Sequence, residues 1–174
     1  MKKIKDVSGI LLMAIISLSF SLYADGQTDS HRNHQTHNNL MDEFITTYHE
    51  MHTLLIKDSL EGIQKKAQKL NTLLNQLSAE KLQLLAAPIK NAQEAIKLFE
   101  ENSLAKAREG FSLYSEFLIQ YLTLGVNNEK KKKLTVFSCP MTPTKFKKWL
   151  QKDDKIQNPY VGKDMLDCGT KENL

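Results

Sequence analysis

An all-α fold is predicted: an antiparallel, up-down four-helix bundle, followed by a small C-terminal strand, helix and loop segment that carries two cysteines. Two observations lead there. Between residues 40 and 126, apolar residues recur at alternating steps of three and four, the spacing of one helix face. Cap-like polar residues divide that stretch into four pieces with short connections, and short connections force neighbouring helices to run antiparallel. Composition agrees. The chain has 174 residues, 41% hydrophobic and 25% charged, with 7 Gly and 4 Pro. That suits one globular domain and excludes disordered and collagen-like classes. Its 24 basic and 20 acidic residues leave a net charge of +4, too balanced to argue for nucleic acid. Two cysteines are too few for a disulfide-dense scaffold.

Residues 1–24 read as a cleaved signal peptide. Lys2, Lys3 and Lys5 form a positive start, Ile10 to Leu22 is an uncharged apolar run, and Ala24 is a small closing residue. The run is too short to span a bilayer, which takes about 20 residues. Leu22 stands where a small residue is usual, so the cleavage site departs from the common pattern. No cysteine follows the run, so no lipid anchor is expected. Removing Lys2, Lys3, Lys5 and Asp6 lowers the net charge from +4 to +2. The expectation is an exported, periplasmic chain with no membrane insertion after cleavage, in a compartment where disulfides can form.

Residues 25–39 are polar and hold His31, His34 and His37. They read as a disordered tail, either a plain linker or a loose metal scavenger. Residues 40–126 are the bundle. The first helix carries Met41, Phe44, Ile45, Tyr48, Met51, Leu55 and Ile56. Asp58 and Glu61 then have capping-box spacing, opening a second helix with Leu60, Ile63, Ala67, Leu70, Leu74 and Leu77. Ser78 is the next cap. The third helix carries Leu82, Leu85, Ile89, Ala92, Ile96 and Phe99, and Pro88 should kink it or restart it in a first turn. Asn102 or Ser103 caps the fourth, with Leu104, Ala107, Phe111, Tyr114, Leu118 and Tyr121, and Gly125 is its stop. No stripe carries the Glu-x-x-His pairs of a di-iron bundle.

Residues 127–174 hold what chemistry there is. A lysine run, Lys130 to Lys133, reads as solvated linker. Leu134 to Phe137 is a short strand. Thr142 and Pro143 read as the start of a short helix running through Trp149 and Leu150. Cys139 and Met141 are two apart, and Met165 and Cys168 three apart. Two thiols and two thioethers form a soft donor set, which selects Cu(I) and Ag(I) over hard cations. His49 and His52 share a helix face. They are either hydrogen-bonded imidazoles of the core edge or extra ligands to such a site. Three readings of the cysteines stand side by side: a structural disulfide closing a 30-residue loop, a soft-metal pair, and a redox-switchable combination of the two. Met141 and Met165 favour metal, since a staple needs no thioethers, although methionine also fills core gaps. Trp149 is expected to anchor the small helix.

The terminal pattern resembles an uncharacterised family of exported helical domains. These are found alone or fused to the membrane-fusion adaptors of Cus-type copper and silver efflux systems. The residues that carry the resemblance are Cys139-Pro140-Met141, Trp149-Leu150, Asn158-Pro159-Tyr160-Val161-Gly162 and Met165-Leu166-Asp167-Cys168-Gly169. Arg108, Phe111 and Ser115 on the last bundle helix add to it. The resemblance covers residues 40–170 and implies an association with heavy-metal handling outside the cytoplasm. The chain lacks the adaptor's hairpin and barrel segments, so a stand-alone version is expected.

Three function classes follow. The first is an accessory protein binding Cu(I) or Ag(I) through Cys139, Met141, Met165 and Cys168, with His49 and His52 as further ligands. The second is a non-metal interaction module with a structural Cys139–Cys168 disulfide, docking on a heavy-metal efflux adaptor or another envelope protein. The third, an enzyme, finds no Ser-His-Asp set, Gly-rich phosphate loop or Cys-x-x-Cys pair, and a non-enzyme is expected.

Overall fold

The computed structural model describes residues 25–77, 83–124 and 133–172, with side chains from Asn38 onward. The signal segment 1–24, the Ser78 cap, Leu82, the Gly125 stop and Lys130 to Lys132 lie outside the described residues. The chain divides into two units at Asn39/Leu40. The described part of the first is helical backbone from Asp25. All packing below belongs to the second.

Helix α1 covers Asp25–Leu55, α2 Ile63–Leu77, α3 Ala86–Glu94, α4 Ile96–Glu100 and α5 Leu104–Thr123. Only Ala95 separates α3 from α4, so together they fill the third helical position. The backbone of 25–39 is thus helical, in a stretch whose composition reads as an unstructured tail. A helix propagates from an ordered turn far more easily than it nucleates.

Asp58 does not cap the second helix. It is in the left-handed region (φ 56°). Ser59 N donates to Leu54 O at 3.0 Å and Asp58 N to Leu55 O at 3.2 Å. Those two bonds are the Schellman pattern that ends a helix, so Asp58 stops α1. Pro88 is the third residue of α3, where its missing N–H leaves no intrahelical bond unmade. Ser103 is the N-cap of α5, in extended conformation.

Neighbouring helices run antiparallel where their ion pairs and rings register. Glu50 meets Lys66 and Glu43 meets Lys69 between α1 and α2. Phe44 packs on Phe117 and Tyr48 on Phe111 between α1 and α5. The seams read from the sequence are the core: Met41, Phe44, Tyr48, Met51, Leu70, Leu74, Phe111, Tyr114, Leu118 and Tyr121 are all fully buried. Gly110 lets α5 approach α4, since a Cβ there would lie 2.5 Å from the Phe99 ring.

The fold is not all-α. The C-terminal segment builds a three-stranded antiparallel sheet of order β2-β1-β3, from β1 Thr135–Ser138, β2 Lys148–Gln151 and β3 Thr170–Glu172. Strand β1 falls where the apolar run 134–137 predicts one. The short helix expected through Trp149 and Leu150 is instead β2, with Phe137 opposite Trp149 and Val136 opposite Leu150. The apparent N-cap, Thr142, donates its hydroxyl to Cys139 O at 3.2 Å and so closes a turn. Burial explains the outcome. Trp149, Leu150 and Gln151 are consecutive and buried, as suits a short strand lying between a sheet neighbour and a helical body.

Candidate functional site

Two motifs of the terminal segment, Trp149-Leu150 and Asn158-Pro159-Tyr160-Val161-Gly162, meet α5, α1 and Asp58 just beyond α1. Their first task is docking. Strand β2 is an edge strand, and bare edges expose unpaired backbone groups. Here two phenols seal them, one from α1 and one from the terminal segment's own loop. Leu150 N donates to Tyr48 Oη at 3.1 Å, and Tyr160 Oη donates to Lys148 O at 2.5 Å. Between the two phenols lies Ser115 Oγ, 2.8 Å from Tyr48 Oη and 3.0 Å from Tyr160 Oη. Burial pushes both phenols well above their usual ionisation range, so they remain neutral donors.

The Asn158-Pro159-Tyr160-Val161-Gly162 loop is fastened at each residue that the motif names. Asn158 Nδ2 donates to Cys168 O at 2.9 Å, and its Oδ1 accepts from Tyr160 N at 2.9 Å. Arg108 on α5 donates from Nε to Pro159 O at 3.2 Å and from Nη2 to Asp58 Oδ1 at 2.5 Å. Gly162 (φ 57°) fits against that ion pair. A Cβ there would overlap Asp58 Oδ1 and Arg108 Nη2 and press on Leu55 O at 3.0 Å. The motif residues Arg108, Phe111, Ser115, Pro159, Tyr160 and Gly162 therefore join the terminal segment to the bundle, while Asn158 and Trp149 brace that segment from within.

The sulfur residues lie at one corner of the sheet. Cys139 and Cys168 are joined as a disulfide with their Cα atoms 6.0 Å apart, leaving no free cysteine among the described residues. The bond ties the end of β1 to the start of β3. Met141 sits in the turn after Cys139, closed by Thr142 N donating to Cys139 O at 3.3 Å, with Pro140 ahead of it as such turns favour. Met165 opens the turn before Cys168, closed by Cys168 N donating to Met165 O at 3.0 Å. Met141 is 66% exposed and Met165 41% exposed, while Met41 and Met51 are fully buried. Both motif methionines are therefore unlike the core methionines of the same chain.

The histidines are engaged elsewhere. His52 is buried, and its Nε2 lies 2.8 Å from Gln157 O. Desolvation pushes it down to about 4, against the raising effect of the Gln157 carbonyl. His49 Nδ1 lies 2.7 Å from Ile45 O, and its Nε2 is buried without a hydrogen-bond partner among the described residues. Desolvation lowers its pKa too, despite the Ile45 carbonyl. Among the described residues no three His, Cys, Asp or Glu side chains gather as a metal cluster. The oxidised corner offers two thioethers and no thiolate. Sequence reasoning missed the roles of Tyr48, Asp58, Glu109 and Gln157. Glu109 Oε2, for instance, accepts from Lys145 N at 3.0 Å to hold the β1–β2 connection on α5.

Fold and site together define a disulfide-stapled domain in which a helical body carries a small antiparallel sheet. No family model, curated protein or solved structure matches the chain. Among the described residues no helix is long and apolar enough to cross a membrane.

Proposed function

We propose that the chain is an exported accessory module of heavy-metal handling that works by contact with a partner, an efflux adaptor of the envelope. One observation carries the reading. The buried motif residues serve to hold the terminal segment in place, while Met141 and Met165 are left outside, on the two turns beside the disulfide. Flexible, polarizable methionine suits a contact surface. The test is a photo-crosslinking amino acid at position 141 in the mature chain, expressed in its own envelope together with the adaptor. A crosslinked product containing the adaptor is expected. Labelling of no adaptor, with the chain present and oxidised, contradicts the reading.

A second reading has its own support in the same two side chains. Thioethers stay available in an oxidising compartment, where thiols pair, and they accept soft metal. On this reading the oxidised corner holds Cu(I) or Ag(I) weakly through Met141 and Met165. Titration of the oxidised protein with Ag(I), followed by the thioether resonances of the two methionines, checks it. Silent resonances at excess Ag(I) refute it.

A further inference from the structure

We infer that the Cys139–Cys168 bond is a latch on a soft-metal site: reduction turns the corner into a four-sulfur centre of Cys139, Met141, Met165 and Cys168 for Cu(I) or Ag(I). The inference rests on the direct metal reading above and adds a gate to it.

Geometry supplies the first argument. The disulfide already brings two sulfurs together, and each cysteine has a methionine within its own tight turn. A turn keeps its first and fourth Cα atoms within about 7 Å, which holds Met165 close to Cys168, and Met141 is the third residue of the turn that Cys139 opens. The two methionines flank the bond from opposite ends of the segment and are exposed, which the hydrophobic effect alone does not favour.

The second argument is that the corner does not depend on the bond for its shape. Asn158 N donates to Leu166 O at 2.7 Å, and Asn158 Nδ2 to Cys168 O, so the Met165 turn is held from the loop. Lys147 Nζ donates to Pro140 O at 2.7 Å and to Thr142 O at 3.1 Å, so the Met141 turn is held from β2's approach. Strands β1 and β3 pair over Val136–Glu172, Phe137–Lys171 and Ser138–Thr170, and Lys148 pairs with Glu172 at 2.5 Å. These bonds remain when the disulfide opens.

The third is access. Cys139 is buried, whereas Cys168 is only partly buried, so Cys168 is the sulfur that an incoming thiolate reaches. A dithiol reductant attacks Cys168 Sγ and releases Cys139 Sγ, which takes up a proton. The reductant's second thiol then displaces Cys168 Sγ, and the reductant leaves as its own disulfide. Two electrons and two protons pass to the protein. A univalent soft cation then binds the two sulfurs, their protons passing to solvent, and the thioethers add lone pairs with no proton change.

The test uses the full mature chain and Ag(I), which adds no redox chemistry of its own. Oxidised protein is compared with protein reduced by dithiothreitol and then freed of it under anaerobic conditions. Circular dichroism is read on both. Reduced protein is expected to keep its helical signal and to bind one Ag(I) about 100-fold or more tighter than the oxidised form. Met141→Leu and Met165→Leu should each weaken that binding about tenfold or more, no less than loss of a ligand's supporting residue. A Cys139→Ser, Cys168→Ser double variant should gain nothing from reductant. Equal binding by both redox forms overturns the gate but leaves the thioether reading standing, and no binding by either overturns both. Tight binding that ignores the methionine substitutions overturns the four-sulfur centre. Loss of the helical signal on reduction overturns the latch.

Discussion

Replacing Tyr160 by phenylalanine removes one oxygen and leaves the ring that packs against Trp149 and Phe111. No cavity forms, so the change isolates the hydroxyl. That hydroxyl donates to Lys148 O and lies beside Ser115 Oγ. Without it, the carbonyl on the outer edge of β2 faces a phenyl ring and loses its donor. An unsatisfied, partly buried acceptor costs about 1–3 kcal/mol. Taking about 2 kcal/mol, a unit of this size should melt roughly 4–10 °C lower. The assay is thermal unfolding by far-ultraviolet circular dichroism, which reads the helices, alongside fluorescence of Trp149, the one tryptophan, which reads the sheet. Both signals should fall together, because sheet and bundle share this network. A Tyr160→Phe protein within about 0.5 kcal/mol of the parent refutes the account of the sealed edge. So does an early fluorescence transition already present in the parent.

Gly162→Ala should destabilise more, because left-handed backbone strain of about 1 kcal/mol adds to displacement of the Arg108–Asp58 pair; chemical denaturation at constant m-value measures it. Stability should fall as pH drops from about 6.5 to about 4. His52 is held neutral in the fold while the unfolded chain takes up its proton, so stability is full above the unfolded pKa and is lost toward the folded one. The total for His52 is about 3 kcal/mol, and His52→Gln should flatten that slope in pH-dependent denaturation. Opening the disulfide should remove roughly 3.5 kcal/mol on the chain-entropy estimate, lowering the melting temperature without unfolding the chain at room temperature; a scan with and without reductant decides it.

The helices were legible because each seam is local and periodic. Met41, Phe44, Tyr48 and Met51 mark α1, and Ala107, Phe111, Tyr114 and Leu118 mark α5, without reference to any partner. Pro88 likewise announces its first-turn position by its own chemistry. Asp58 shows where local reading fails. Asp58 and Glu61 have capping-box spacing, yet Asp58 is the left-handed stop of α1 and gives its carboxylate to Arg108, fifty residues away.

The sheet was half legible. Strand β1 is an apolar run bounded by polar residues. Strand β2 has no alternation to betray it, because its consecutive residues Trp149, Leu150 and Gln151 are all buried. Strand β3 is three polar or charged residues with no apolar signal, held by pairing with β1, ion pairs to Lys148 and Asp154, and the adjoining disulfide. The Thr142-Pro143 pair has the residue types of a helix start, and only the long-range contacts of Trp149 and Leu150 turn the chain into a strand. The partners that decide the site are far apart in sequence: Tyr48 with Leu150, His52 with Gln157, Tyr160 with Ser115. No single-sequence period encodes such pairs. The sulfur corner was legible as residue types and spacing, but the same spacing serves a staple and a ligand set, and only the fold joins the cysteines.

The Cys139–Cys168 bond staples the terminal segment, and Met141 and Met165 lie exposed on the turns beside that staple. The most direct test is intact mass with a thiol count on protein taken from its native cells, with free thiols trapped before lysis. A mass two hydrogens below that of the reduced chain and no trapped thiol are expected. Two trapped thiols in freshly taken protein would contradict the staple.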